Sequence, residues 1–363
     1  MANKDKLKKL SIEYLKSYFS INSYIGCTFN CAYCFLAPVK IVPMRPVKSM
    51  EEEDLIKEMI ESSYFKKGET VISLNNRTDP FLTEEVKSST FKLLDLMERE
   101  GLKNIVTITT KGLLTKEDAK VLDKYKNIDI VIIVTYNGLP QNIQPVSPSI
   151  QEETMRNVST CKNVKLLHQC RPIIPDVNDS EESIREVVTF AKQYCIATIY
   201  QGIRVNPYIK GRLAERGYNY EGDFDKHKQK TKETDEIFNK IEKELKDYPI
   251  FDHTSCCLSY LYDKPDYNLH FTKMECDKSC KNYERCHKKF YDLDYNLQEE
   301  LDRLGVNAPW ELRDDLLYVD GILNDEQKSY IKHILHLQVK SAEREYTYSE
   351  NIMEERYEGK NNI

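Results

Sequence analysis

The sequence predicts an α/β protein in which the first 207 residues form six βα units around a parallel sheet. Three observations carry that prediction. Short β-branched runs alternate with amphipathic segments along this stretch, the arrangement of βαβ repeats. Two of the runs, Ile105 to Thr110 and Asp129 to Thr135, are almost continuously apolar or β-branched, as in a strand covered on both faces or lining a barrel wall. Several amphipathic segments open on capping signals, in which a side chain satisfies the exposed amides of a first helical turn.

In order, the strand candidates are Phe19 to Ile25, Val71 to Asn75, Ile105 to Thr110, Asp129 to Thr135, Val164 to His168 and Thr198 to Val205. Helices between them start at Ser49 with Glu52, Ser149 with Glu152 and Thr115 with Asp118, each a capping-box spacing; Thr83 and Asp179 or Ser180 cap two more. Periodicity leaves two folds open, a partial barrel and a doubly wound open sheet. In both, a ligand binds at the carboxyl ends of the strands. After Pro207 the composition becomes strongly charged, with a helix predicted from Phe224 to Asp247, a cysteine-rich stretch from Cys256 to Cys286, and helical segments at Asn296 to Leu304 and Glu326 to Arg344. The polar tail 345–363 has too little apolar surface to pack. The organisation predicted is therefore 15–207, 208–344 and 345–363.

The chain has 363 residues, 40% of them hydrophobic, which excludes a disordered protein, and no apolar run approaches the ~18 residues of a membrane span. The Lys-rich first twenty residues contain no apolar signal core, so a cytoplasmic protein is expected. In a reducing compartment its eleven cysteines are read as metal ligands or catalytic groups rather than staples. The 53 basic against 59 acidic residues give a net charge of −6, so the molecule is not built to track a polyanion by bulk charge. Lys40, Arg45 and Lys48 form at most a local phosphate patch.

Cys27, Cys31 and Cys34 form a C-x3-C-x2-C triplet directly after the first strand. Three thiolates on one tight loop can hold three irons of a cubane and leave the fourth open for a substrate or cofactor. A structural zinc site needs a fourth ligand, and the next candidates, Cys161 and His168, lie more than 120 residues on.

This triplet, with Gly26 before it and Tyr33 before its last cysteine, resembles the signature of the radical S-adenosylmethionine (radical SAM) superfamily. The resemblance covers roughly residues 19–207. It implies a partial (β/α)6 TIM-type barrel with a mostly helical, cysteine-containing C-terminal domain. It also implies a [4Fe-4S] cluster on Cys27, Cys31 and Cys34, SAM chelated to the open iron, and reductive cleavage to a 5′-deoxyadenosyl radical that abstracts hydrogen from a substrate. An external flavodoxin- or ferredoxin-like protein would supply the electron. Carried over by position, Tyr33 approaches adenine; Asn75, Thr78 and Asp79 replace the family's Gly-Gly-Glu run that faces the SAM amino group; Lys111 and Arg171 face its carboxylate; Thr135 and Arg204 complete the strand-end contacts. The runs Asn76 to Phe81 and Arg171 to Asp179 look like the branch of spore photoproduct lyase and related DNA-repair proteins. Two departures separate the chain from that lyase: Phe35 stands where it has a tyrosine, and no cysteine occurs between Cys34 and Cys161 to serve as its hydrogen donor.

Cys256, Cys257, Cys276, Cys280 and Cys286 suggest a second metal site, resembling in kind an auxiliary [4Fe-4S] cluster held by Cys276, Cys280, Cys286 and one of the adjacent pair Cys256 and Cys257. Zinc with His253, His270 or His287 is the rival reading. Cys161, Cys170 and Cys195 are read as core residues. A small-molecule or nucleoside substrate is the expectation; peptide modification, nucleic-acid repair and a non-enzymatic metal-binding module are the alternatives.

Overall fold

The structure, a computed structural model, describes residues 4–15, 18–38, 40–222, 232–268, 276, 278–287 and 296–342. The predicted tail 345–363, residues 224–231 of the predicted long helix, and His270 lie outside them. The described residues divide into two compact units, one running to Tyr14 and from Tyr18 to Tyr262, the other taking Leu15 and the residues from Asp263 onward.

The elements of the first unit are α1 (Lys4–Ser11), β1 (Ile12–Leu15), β2 (Tyr18–Ile21), β3 (Tyr24–Ile25), β4 (Val47–Lys48), α2 (Glu52–Glu61), β5 (Ile72–Leu74), α3 (Glu84–Arg99), β6 (Ile105–Thr110), α4 (Lys116–Leu122), β7 (Asp129–Thr135), α5 (Pro148–Val158), β8 (Val164–Ile173), α6 (Glu181–Lys192), β9 (Thr198–Gly202), α7 (Pro207–Ala214), α8 (Lys232–Leu245), β10 (Ile250–Phe251) and α9 (Thr254–Tyr262). Eight strands form one sheet in the order β1-β2-β5-β6-β7-β8-β9-β10. Every neighbouring pair from β2 to β10 is parallel. The order runs open from β1 to β10 and does not close, as a partial barrel requires. Two strands beyond the six predicted, β1 and β10, form the edges.

Alternate strand residues face opposite ways. Phe19, Ile21, Ile72, Leu74, Val106, Ile108, Ile130, Ile132 and Leu166 join Met59, Leu93, Met97, Met155, Val188 and Phe238 of the helices in the main core. The other face carries Ser20, Ser73, Thr107, Thr135 and Gln169, all buried but polar. That polar inner face is where a site can be built.

Several predicted boundaries move, each for a local reason. The first strand breaks at Asn22, whose amide donates to Leu10 O (2.8 Å) and Ser20 Oγ (3.0 Å), turning the chain away from the sheet. β8 runs on to Ile173 through a register irregularity between Cys170 and Ile173, the usual accommodation of a proline within a strand. Thr83, Ser180 and Thr115 cap α3, α6 and α4, the last with a full capping box. Ser49 and Ser149 are not caps: Glu51 and Ser147 hold those positions without a side-chain bond. Ser49 Oγ instead donates to Asn22 O (2.5 Å), and Glu52 accepts from Ser89 and Lys48.

The composition change at Pro207 ends neither the βα alternation nor the packed unit. β10 pairs with β9, and Phe238 and Ile241 of α8 enter the main core. The second unit contains α10 (Tyr283–His287), α11 (Leu297–Arg303), β11 (Trp310–Arg313), β12 (Leu316–Val319), α12 (Asp325–His333) and β13 (Gln338–Ser341). Beside its helices it carries a three-stranded sheet of β11, β12 and β13. The helix predicted to Arg344 stops at His333; beyond it His336 takes a positive φ of 53°, and Gln338 to Ser341 form a strand parallel to β12.

Candidate active site

The cysteine triplet lies on a long loop whose root is fixed. β3 pairs antiparallel with β4, Ile25 opposite Val47, so the chain leaves and returns at one place. Gly26 follows with φ 114°, and a Cβ there would lie 2.9 Å from Arg45 O and 3.0 Å from Met44 O, so only glycine fits. Cys27 N donates to Ile41 O (3.2 Å), Cys34 N to Cys31 O (3.2 Å), and Ala32 N to Ile143 O (2.9 Å). Ala32 and Tyr33 pack on Leu139, Ile143, Ile174, Ile203, Ile209 and Leu213, a second core at the carboxyl ends of the strands. From α7, Arg212 donates to Asn30 Oδ1 (2.8 Å), Cys31 O (2.9 Å) and Ala32 O (3.3 Å). Sequence reasoning missed Arg212 entirely, since 181 positions separate it from Cys31.

Cys31 is buried, and Cys27 and Cys34 are half-buried. Burial raises all three thiols, Cys27 to about 12; Asp79 adds to the rise at Cys27 and Cys31, and neighbouring thiolates add to it at Cys27 and Cys34. Lys111 opposes the rise at Cys31 and Cys34. Thiols so raised become thiolates only with a metal to take the charge. A single tetrahedral ion draws its ligand atoms to within about 4 Å of one another. Among the described residues, Glu51, Glu52 and Glu53 alone bring three ligand atoms all within 4.8 Å of one another, so the three sulfurs are not all that close. A cubane, which takes each thiolate on a different iron, does not need them to be. The candidate fourth zinc ligands are engaged elsewhere: Cys161 Sγ with Ala119 O (3.2 Å), and the buried His168 ring with Tyr136 O (2.5 Å) and Thr198 Oγ1 (2.9 Å).

Of the residues predicted to contact SAM, the structure separates structural ties from open groups. Asn75, at φ 50°, accepts from Ser23 N (2.9 Å) and Ser23 Oγ (3.1 Å) and donates to Thr90 Oγ1 (2.8 Å), joining the first strand to α3. Asp79 is equally engaged, accepting from Thr110 Oγ1 (2.7 Å), Lys111 N (2.7 Å) and Phe81 N (3.1 Å); burial nevertheless raises its carboxyl above the ordinary range. Thr78 differs: its buried Oγ1 has no partner. Lys111 Nζ lies 5.9 Å from the centroid of the Tyr33 ring. Tyr33 hydrogen-bonds Gln144, which Asn137 Nδ2 also reaches at 3.4 Å. Thr135 Oγ1 donates to Gln169 Oε1 (3.2 Å). Arg171 is half-buried on the polar face, and Arg204 is exposed just beyond β9.

The second group of cysteines falls into two places. Cys256 and Cys257 lie on α9 in the first unit, half-buried and buried. In the second unit Cys276 lies within hydrogen-bonding reach of Cys280; burial and then Cys280 raise its thiol to about 12. Cys286, buried on α10, accepts from Asp266 N (3.4 Å). No disulfide joins any of the eleven cysteines. His253 bonds Asp252 Oδ1 (2.8 Å), and the His287 side chain lies outside the described residues.

An incomplete parallel barrel with three clustered thiols at the carboxyl ends of its strands defines a class, and residues 21–188 match the family model of the radical SAM superfamily. Residues 21–188 thus form a radical SAM domain, which supports an enzyme over the reading as a non-enzymatic metal-binding module. An uncharacterized protein of Methanocaldococcus jannaschii is 25% identical over 247 residues, covering 62% of this chain and 86% of its own. Among solved structures, spore photoproduct lyase complexed with dinucleoside spore photoproduct matches at a TM-score of 0.52 and 13% identity, covering 67% of this chain and 79% of the lyase. A variant of that lyase with bound AdoMet and dinucleoside spore photoproduct matches at 0.51 and 14% over the same shares. At such identities the likeness establishes the fold. Among the described residues, no helix is long and apolar enough to cross a membrane.

Proposed function

We propose that the protein cleaves SAM reductively at a [4Fe-4S] cluster on Cys27, Cys31 and Cys34 and uses the resulting radical to abstract hydrogen from a nucleoside-like or other small substrate. The observation that carries this reading is the spacing of three raised, clustered thiols on a loop locked by Gly26 and Arg212. When bound, the cluster and SAM supply the 5′-deoxyadenosyl radical. The chain's own residues bind and orient: Thr78, with its unpartnered hydroxyl, accepts from the SAM ammonium; Lys111 pairs with the carboxylate; Tyr33 and Thr135 line the adenosyl moiety; Asn75 and Asp79 hold the strand ends in register. A nucleoside-like substrate is supported by the dinucleoside in the lyase structures of the same fold. The lyase's own repair reaction is disfavoured by Phe35 and by the absence of a cysteine between Cys34 and Cys161. An external flavodoxin- or ferredoxin-like donor completes the proposal.

A second reading, modification of a peptide with the help of an auxiliary cluster, is favoured by the proximity of Cys276 to Cys280 and Cys286. Anaerobic reconstitution tests both. The wild type is expected to form 5′-deoxyadenosine under reduction and Cys34→Ala to form none; a wild type that never cleaves SAM overturns the assignment. About eight irons per chain, falling to about four in Cys276→Ala, would support the auxiliary cluster, and four in both would remove it.

A further inference from the structure

The polar face of the sheet holds a donor and an acceptor that turn towards each other without bonding. Tyr200 stacks on Phe238 of α8 in the main core, so its neighbour Gln201 points to the opposite, inner face of β9. There Gln201 Nε2 donates to Asp252 O (2.9 Å), while its Oε1, sealed from solvent, accepts no hydrogen bond among the described residues. The orientation of this amide is fixed, since exchanging its two ends would set Oε1 against the Asp252 carbonyl oxygen. Gln169 is its counterpart on β8, on the inner face because Cys170 lies in the main core. Gln169 Oε1 accepts from Thr135 Oγ1 of β7 (3.2 Å), and among the described residues nothing accepts from its Nε2.

Strand order makes the two amides converge. β9 lies between β8 and β10, so a Gln201 amide tied to the residue after β10 turns its oxygen back towards β8. β8 lies between β7 and β9, so a Gln169 amide tied to Thr135 turns its NH2 towards β9. In the parallel register Gln169 stands opposite Ile199, and Gln201 is two residues beyond Ile199 on the same face. Strand spacing and rise then put the two Cα atoms about 8 Å apart, a gap that one planar group set between two glutamine side chains fills. One pleat further, Ile203 belongs to the core on which Ala32 and Tyr33 of the cluster loop pack. The pair thus faces the barrel interior one pleat below the footing of the cysteine triplet, in the place of a group from which a radical formed there abstracts hydrogen. Such a group must offer Gln169 an acceptor and Gln201 a donor from adjacent atoms of one edge. A trans peptide unit cannot, because its N–H and C=O point opposite ways. The lactam edge of a nucleobase, a ring N–H beside a carbonyl, offers both.

We infer that Gln169 and Gln201 clamp the lactam edge of a nucleobase in the substrate, Gln201 Oε1 accepting the ring N–H and Gln169 Nε2 donating to the adjoining carbonyl. This rests on the radical SAM reading above but is tested apart from it. The reconstituted full-length protein, saturated with SAM, is titrated calorimetrically with uridine, 3-methyluridine and N-acetylglutamine amide. Uridine is expected to bind at least tenfold more tightly than either of the others, since methylation removes the N–H that the buried oxygen reads. Gln201→Met should weaken uridine at least tenfold and bring it within twofold of 3-methyluridine. Gln169→Met should weaken both nucleosides and keep their ratio. A merely structural Gln201 would lower both nucleosides alike and leave their ratio standing, which would overturn the inference. SAM affinity is measured in parallel: variants that lose SAM while holding uridine as before would place the pair against the adenine of SAM and overturn it too. It is equally overturned if the wild type binds no uridine, binds 3-methyluridine as well, or prefers the acetylglutamine amide. Uridine bound with this discrimination by a protein that never cleaves SAM would sink the radical reading alone.

Discussion

Asn75 and Thr78 stand three positions apart at the end of β5 and do different work. Asn75 is fully buried, tolerates a positive φ as few residues do, and satisfies groups on both the first strand and α3. Thr78 satisfies nothing within the protein through its hydroxyl. The sequence shows polar residues at a strand end, which marks them as site candidates, but it does not show which of them are already paired. The two therefore respond oppositely to substitution. Asn75→Ala removes the acceptor of Ser23 N and Oγ and one of the partners of Thr90 Oγ1, and should cost about 2–4 kcal/mol of stability, read by urea denaturation. Thr78→Val removes a hydroxyl that stabilises nothing in the fold, so stability should change by less than ~0.5 kcal/mol. Losing one hydrogen bond to a charged ammonium should raise the Kd for SAM roughly tenfold or more by calorimetry. A destabilised Thr78→Val that binds SAM normally would show that Thr78 is another structural tie.

The cluster loop was legible as an element because its information is local: the cysteine spacing, Gly26 and the strand before it lie within sixteen residues. What holds it in place was not, because Arg212, Ile143 and Arg77 reach it from elements far along the chain. The capping signals show the same division. Thr115 with Asp118 forms the box its spacing predicts, while Glu52 forgoes the box at Ser49 for a buried bond to Ser89, 37 positions on. Gly26→Ala tests the loop as an element. The added Cβ meets backbone oxygens of Met44 and Arg45, which cannot rotate away, at a φ that disfavours any side chain. The expected result is a loss of at least about 2 kcal/mol and iron incorporation below half of wild type after identical reconstitution. Full iron loading with unchanged thermal stability would mean that the loop is not fixed at this point.

Across the first unit, the parallel sheet was legible from β-branched periodicity, and its edge strands were not: β1 and β10 have four and two residues, too short for a period to register. The packing of that unit also buries a group whose charge state the sequence leaves unspecified. His168 is fully buried at the middle of β8, its Nε2–H directed at Tyr136 O, its Nδ1 at Thr198 Oγ1, and that hydroxyl in turn 3.0 Å from Tyr248 OH. Burial lowers its pKa from 6.5 to about 4, partly opposed by the bond to Tyr136 O. The folded state therefore keeps the ring neutral where the unfolded chain protonates it. Protons bind preferentially to the unfolded state between those two values, so stability should be level above pH 6.5 and fall as the pH drops from 6.5 towards 4. The loss from this residue approaches 3 kcal/mol, on the order of 1.4 kcal/mol for each pH unit in the window. Urea denaturation between pH 4 and 8 should show that slope, and His168→Gln, which can keep the bond to Tyr136 O but takes up no proton, should lower the plateau while flattening it. An unchanged slope in the variant would place the acid sensitivity in another group, and a His168 ring titrating near 6.5 by NMR would show that the ring is not sealed in the core.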